Sequence, residues 1–160
     1  MKVALIMGSK SDYPVLENAE KVLDDFGVEY ETRVMSAHRT PRQAEEFARN
    51  AEENGFDVII AAAGKAAHLA GVLAGNTPLP VIGIPMKTSD LGGMDSLLSV
   101  VQMPKGVPVA TVAIGGAENA ALLAIQILSV KDPGLREAFR AYKVKMEEDI
   151  LAIDREFTGK

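Results

Sequence analysis

A three-layer α/β/α sandwich around a five-stranded parallel sheet is the fold this sequence predicts. Three observations lead to it. Five short runs rich in Val, Ile, Leu and Ala are separated by stretches with helical spacing, and strands alternating with helices form parallel sheets through right-handed crossovers. Several of those runs are apolar throughout rather than alternating, as in strands covered on both faces. The helix candidates are bounded by Gly or Pro at the expected ends. With 160 residues the chain has the size of one catalytic domain, a core of about residues 1–131 followed by a terminal helix.

Lys2–Met7 is the first apolar run and stops at Gly8. Tyr13–Phe26 places Val15, Leu16, Ala19, Val22, Leu23 and Phe26 on one helical face, closed by Gly27. Val28–Met35 is the second strand. Pro41–Asn54 presents Ala44, Phe47, Ala48 and Ala51 on one side and ends at Gly55. Asp57–Ala62 is the third strand and Lys65–Leu73 a helix of small residues. Pro80–Ile84 is the fourth strand, Pro85–Gly93 a polar loop, and Asp95–Val101 a helix. Pro108–Ile114 is the fifth strand, and Ala117–Val130 is apolar enough to be a buried helix. Five such strands predict a flavodoxin-like arrangement. Ligands in that class sit beyond the carboxyl ends of the strands, where strand order reverses. The loops after Met7, Met35, Ala62, Ile84 and Ile114 are therefore the places to look for a site.

Pro133–Phe157 is different. Leu135, Phe139, Tyr142, Met146, Ile150, Ile153 and Phe157 recur at steps of four and three. A helix of that length is roughly 37 Å long, about the diameter of the domain. The stripe is expected to pack partly on another subunit; the alternative is a helix laid along its own sheet.

Composition removes several function classes. An apolar content of 48% with 24% charged residues is that of a globular chain, and the net charge of −5 argues against nucleic acid or an anionic membrane as the main ligand. No cysteine is present, which excludes thiolate catalysis, disulfides and thiolate-held metals. The chain opens on strand residues rather than a leader, so a cytoplasmic protein is expected. Val58 to Gly75 is the one stretch that mimics a membrane span, and Lys65, His68 and its glycines interrupt it.

Three strand-end loops carry candidate chemistry. Gly8-Ser9-Lys10-Ser11-Asp12 offers hydroxyls and backbone N–H groups at the start of a helix, a setting that favours an anion; Asp12 is equally an ordinary helix cap or a partner for a ribose hydroxyl. Ser36-Ala37-His38-Arg39-Thr40-Pro41 holds one of the two histidines. Arg39 can grip a phosphate bidentately with Ser36 beside it, and His38 can act as acid and base. Thr40 and Pro41 also read as a helix start. Gly64-Lys65-Ala66-Ala67-His68-Leu69 holds the other histidine among residues small enough for a ligand to lie against backbone; tight helix packing accounts for the same alanines. The coincidence of both histidines on strand ends of one sheet edge favours a site. Lys87–Gly93 is either a cover or a connector. No dinucleotide-type glycine pattern and no P-loop is present, and two histidines make a poor metal case.

Taken together, Met7 to Asp12, Ser36 to Pro41, Ala66-Ala67-His68-Leu69, Asp95-Ser96-Leu97-Leu98 and Val101-Gln102-Met103-Pro104 closely resemble the N5-carboxyaminoimidazole ribonucleotide mutases, the catalytic subunits of phosphoribosylaminoimidazole carboxylase. The resemblance runs from the first strand to about Lys131. It implies a homo-octamer without metal or organic cofactor, acting on a ribonucleotide in purine biosynthesis. It implies that a carboxyl group moves from the exocyclic nitrogen to ring carbon four through transient carbon dioxide. Mapped by motif, Ser9, Ser11, Asp12, Ser36 and Arg39 are implied to hold the ribose phosphate and His38 to carry the proton. Gly64, Lys65, Ala66, His68 and Leu69 are implied to wall in the carbon dioxide.

The third loop departs from the family pattern Gly-Gly-Ala-Ala-His-Leu-Pro-Gly: Lys65 stands for a glycine and Ala70 for the proline. A sister branch that carboxylates aminoimidazole ribonucleotide directly tends to carry a basic residue near the Lys65 position and usually lacks the histidine seen here as His68. The alternatives are thus a direct carboxylase and, from another class, a nucleotide-binding module without catalysis.

Overall fold

Alternate residues of the central strands feed two separate cores, and this places helices on both faces of the sheet. In a computed structural model describing residues 1–159, β1 (Lys2–Met7) sends Val3, Leu5 and Met7 to one side and Ala4 and Ile6 to the other. The period of two along a strand requires this division. β3 (Val58–Ala63) repeats it, with Val58, Ile60 and Ala62 opposed to Ile59, Ala61 and Ala63. α1 (Tyr13–Asp25) and α5 (Ala117–Leu128) cover the first face through Leu16, Leu23, Ala121 and Ile125. α2 (Pro41–Asn50), α3 (Leu69–Ala74) and α4 (Met94–Val101) cover the second through Phe47, Leu73 and Val100.

All strand pairs are parallel. The order is β2-β1-β3-β4-β5, where β2 is Glu29–Val34, β4 is Val81–Pro85 and β5 is Ala110–Thr111. This is the flavodoxin-like order, with its switch point between β1 and β3. Register across the switch puts Val3 opposite both Tyr30 and Val58. Gly83 in β4 shows how closely the second layer lies. A Cβ there would collide with Val100 Cγ1 and stand 3.0 Å from Val109 Cγ1 and 3.3 Å from the Ala70 Cβ.

Three boundaries differ from the sequence reading. The helix expected to run to Asn54 ends at Asn50, and its end unwinds through 3₁₀-type and turn bonds up to Gly55, which has φ 80°. The fifth strand pairs only at Ala110–Thr111. Its chain follows β4 further, with Val112 N–H on the Gly83 carbonyl at 3.1 Å, but the turn closed by Gly116 N–H on the Ala113 carbonyl interrupts the ladder. α3 starts at Leu69, not Lys65, because Lys65 is held at φ 57°, which no right-handed helix admits. Gly116 holds the N-cap position of α5, where no side chain makes a capping bond.

α6 (Pro133–Thr158) begins with Asp132 accepting from the Leu135 N–H at 2.9 Å. Its first turns lie on the chain's own core: Leu135 is buried, and Phe139 and Tyr142 stack against Phe26 with ring centroids 6.2 and 5.7 Å apart. Beyond Lys143 none of the described residues covers the stripe, and Ile150 and Phe157 are 66% and 86% exposed. Laying the helix along its own sheet therefore accounts for its first half only. Among the described residues no helix is long and apolar enough to cross a membrane.

Candidate active site

Beyond the carboxyl ends of β1 and β3, where the strand order reverses, the sheet opens into a cleft of about 510 Å³. A parallel sheet leaves room there because its two neighbouring crossovers depart to opposite faces. The loops after β1, β2, β3 and β4 line it. The loop after Ile114, selected with the others from the sequence, does not.

In the first loop a short 3₁₀ turn, Lys10–Asp12, is capped by Ser9. The Ser9 hydroxyl accepts from the Ser11 N–H at 3.3 Å and from the Ser11 hydroxyl at 2.9 Å. Asp12 occupies the N-cap position of α1 but makes no capping bond. Half-burial raises its carboxyl above the ordinary value of 3.8, opposed by the Ser9 backbone, the Ser11 hydroxyl and the Arg39 charge. A carboxylate set back in the cleft and not engaged in capping α1 is available to a ligand.

The second loop is folded around Ser36. Its hydroxyl oxygen accepts from the N–H groups of His38 and Arg39 at 3.4 and 3.2 Å, which leaves its own O–H free to donate. Thr40 closes the loop instead of capping α2. Its hydroxyl accepts from the Ser36 N–H at 2.9 Å and donates to the Ser36 carbonyl at 3.2 Å, so the expected side-chain cap is absent while Pro41 keeps the first helical position. Arg39 reaches across to the first loop and donates to the Gly8 carbonyl at 2.7 Å. One arm of the fork is thereby fixed, and among the described residues its remaining N–H groups have no other acceptor apart from a long contact to Ser36.

The two histidines, thirty residues apart in sequence, meet in the cleft. His38 Nε2 lies 2.8 Å from His68 Nδ1, and the rings stand at 82° with centroids 4.9 Å apart. One hydrogen serves that contact, so one ring donates and the other accepts. His68 sits at the N-cap position of α3, at the end of a compact turn in which the Ala67 and His68 N–H groups donate two residues back, each at 2.8 Å. Lys65 begins that turn at positive φ, a conformation natural to glycine. Its ammonium pairs with Asp90 at 2.9 Å. The shared hydrogen bond and charge raise the Lys65 pKa and lower that of Asp90.

Every residue singled out from the sequence lines the cleft, from exposed His38 to Leu69, which is only 2% exposed. Met86, Lys87, Thr88 and Ser89 line it as well and had no assigned contact. The strand-end rule pointed to their loop, and the polar run Lys87-Thr88-Ser89 was the available signal. The loop is pinned at both ends: Met86 N–H donates to the Ala63 carbonyl at 2.9 Å, and the Thr88 hydroxyl donates to Asp95 at 2.8 Å while accepting from the Gly93 N–H at 3.2 Å. Among the described residues no group of three or more His, Cys, Asp or Glu side chains is placed to hold a metal ion.

Comparison with known proteins places the chain in a family. The family model described as AIR carboxylase matches residues 2–149. The chain is 60% identical over 146 residues to the N5-carboxyaminoimidazole ribonucleotide mutase of Pyrococcus abyssi, covering 91% of this chain and 84% of that protein. It is 55% identical over 150 residues to the mutase of the same name from Thermotoga maritima, covering 94% and 88%. The crystal structure of Treponema denticola PurE superposes with a TM-score of 0.86 at 29% identity over 97% of both chains. With the matched span taking in all four loops of the cleft, the chain belongs to the AIR carboxylase family.

Proposed function

We propose that this chain is an N5-carboxyaminoimidazole ribonucleotide mutase of purine biosynthesis, an isomerase working as a single catalytic domain. The observation that carries the reading is the span between Arg39 and His38. One loop holds both, and the Arg39 bond to the Gly8 carbonyl fixes that loop to the other anion-binding loop. A ribonucleotide phosphate held by Arg39, Ser9, Ser11 and Ser36 would extend its ring toward His38, with Asp12 accepting from a ribose hydroxyl. The carbon–nitrogen bond of the carbamate then breaks, releasing carbon dioxide as His38 protonates the nitrogen. Ring carbon four attacks the carbon dioxide, and the proton leaving that carbon returns to His38. Protons balance over the cycle, and one imidazole that alternates between acid and base is sufficient. His68, in contact with His38, and the wall from Gly64 through Lys65 and Ala66 to Leu69 confine the carbon dioxide at the reacting carbon, where proximity replaces a chance encounter.

Lys65 is the observation that favours the runner-up, direct carboxylation of aminoimidazole ribonucleotide. One assay separates the readings: purified protein is given each ribonucleotide with and without bicarbonate. Conversion of the carbamate without added bicarbonate supports the mutase. Activity only on aminoimidazole ribonucleotide plus bicarbonate replaces it with the carboxylase, and binding without conversion of either leaves a nucleotide-binding module.

Asp12→Asn separates binding from stability. A carboxyl raised in the folded state contributes stability that is complete below its unfolded value and is lost as pH rises through the folded one. At neutral pH the ionised Asp12 is therefore a burden. The variant is expected to unfold at an equal or higher temperature at pH 7, with the advantage vanishing below about pH 4. Ligand affinity is expected to fall about ten- to hundredfold, the ~1.5–3 kcal/mol of a charge-assisted bond. Unchanged affinity would remove Asp12 from the site.

The uncovered stripe from Met146 to Phe157 supports a homo-oligomer; that it is an octamer in the cytoplasm follows from the family resemblance alone. Sedimentation at micromolar concentration is expected to show a species of several chains, and a monomer would end that part of the proposal.

A further inference from the structure

Lys65 is the one residue other than glycine with positive φ among the described residues. That region disfavours any side chain with a Cβ, and a strained residue persists only where its surroundings hold it. The Lys65 carbonyl accepts from the Ala67 N–H at 2.8 Å, and its Nζ meets Asp90 Oδ2 at 2.9 Å, between two side chains that are otherwise well exposed. The pair joins two segments that line the cleft from different strands: the turn after β3, which carries His68, and the loop after β4, which carries Thr88 and Ser89. Asp90 stands just before Gly92 and Gly93, both at positive φ, where the chain turns into α4. The ends of the loop are fixed by the Met86 bond to Ala63 and the Thr88 bonds to Gly93 and Asp95, and Lys65 is the tie at the tip between them.

We propose that Lys65 and Asp90 are positioning residues: their ion pair straps the two loops together over the cleft and keeps carbon dioxide beside ring carbon four between the two halves of the transfer. The inference rests on the mutase reading. It gives the strained lysine a reason in the chemistry, since a gas lost to solvent leaves aminoimidazole ribonucleotide and bicarbonate in place of product. Neither side chain is assigned a contact with the reacting atoms.

The test uses the full chain with carbamate substrate labelled with carbon-13 in its carboxyl group, in excess unlabelled bicarbonate. The quantities read are aminoimidazole ribonucleotide released per product formed and label retained in product, with enzyme-free decay subtracted. Lys65→Gly and Asp90→Asn are each expected to raise release several-fold, and the double variant to add nothing to either. Raising ionic strength from about 0.05 to about 0.5 M, which screens an exposed pair, is expected to increase release by the wild type but not by Lys65→Gly. Because glycine suits the backbone at position 65, that variant is expected to unfold no earlier than wild type, so leakage cannot be laid to a damaged fold. Wild-type partitioning in either single variant would overturn the strap, as would leakage in Lys65→Gly without leakage in Asp90→Asn. If the wild type itself fails to convert the carbamate, the mutase reading falls and the strap with it; if it converts and the variants match it, the strap alone falls.

Discussion

His38→Asn is expected to keep the fold and the ability to bind aminoimidazole ribonucleotide while losing about 10²–10⁴-fold in turnover, the usual contribution of a positioned acid–base group. The fold should survive because His38 is exposed at the cleft and the loop around it is held by Ser36 and Thr40 rather than by the ring. Binding should survive because the phosphate contacts proposed here are those of Arg39 and the serines. Asparagine retains a polar group but cannot carry a proton between nitrogen and carbon. The measurement is kcat for carbamate conversion beside the dissociation constant of aminoimidazole ribonucleotide. Turnover within about tenfold of wild type would move the proton to another group, and His68 at 2.8 Å would be the first to examine.

Arg39→Met is expected to act in the opposite way, on affinity more than on chemistry. Hydrogen bonds to charged groups contribute about 1.5–3 kcal/mol each, and a forked guanidinium makes two to a phosphate. A fall of about 10²–10⁴-fold in kcat/KM follows, carried mainly by KM. Arg39→Lys should recover part of it, since the charge returns without the planar fork. The variant also releases the tie to the Gly8 carbonyl, so kcat at saturation is expected to slip modestly as the two loops lose their fixed spacing. A large loss in kcat with KM unchanged would place Arg39 at the reacting atoms and not at the phosphate.

The architecture was legible because the strand periodicity is strong. Val3 to Met7 and Val58 to Ala63 are apolar on both faces, and helices flanked by Gly27 and Gly55 leave little choice of crossover. The site was legible because its residues are chemically conspicuous: both histidines, the arginine and the serines fall on strand ends. Less visible were features that depend on bonds across the fold. Thr40 looks like a helix cap in sequence but bonds to Ser36, because the loop turns back on itself before the helix starts. Lys65 sits in a run of alanines that reads as helix, and only the backbone shows it at positive φ with Asp90 as its partner. The contact between His38 and His68 needs a sheet register that brings β3 beside β1, while β2 lies on the far side. Thr88 and Ser89 could be placed on the right edge but not into the cleft, since a loop's direction is set by its end anchors and not by its composition.

The residue assignments meet their most direct test in a crystal structure of this chain with aminoimidazole ribonucleotide bound. The phosphate is expected on Arg39 with the serines of the first two loops. The exocyclic nitrogen and ring carbon four are expected within about 3–4 Å of a His38 ring nitrogen, the reach of a group that transfers the proton. A nucleotide bound with its phosphate away from Arg39, or with its ring turned from His38, would contradict these assignments.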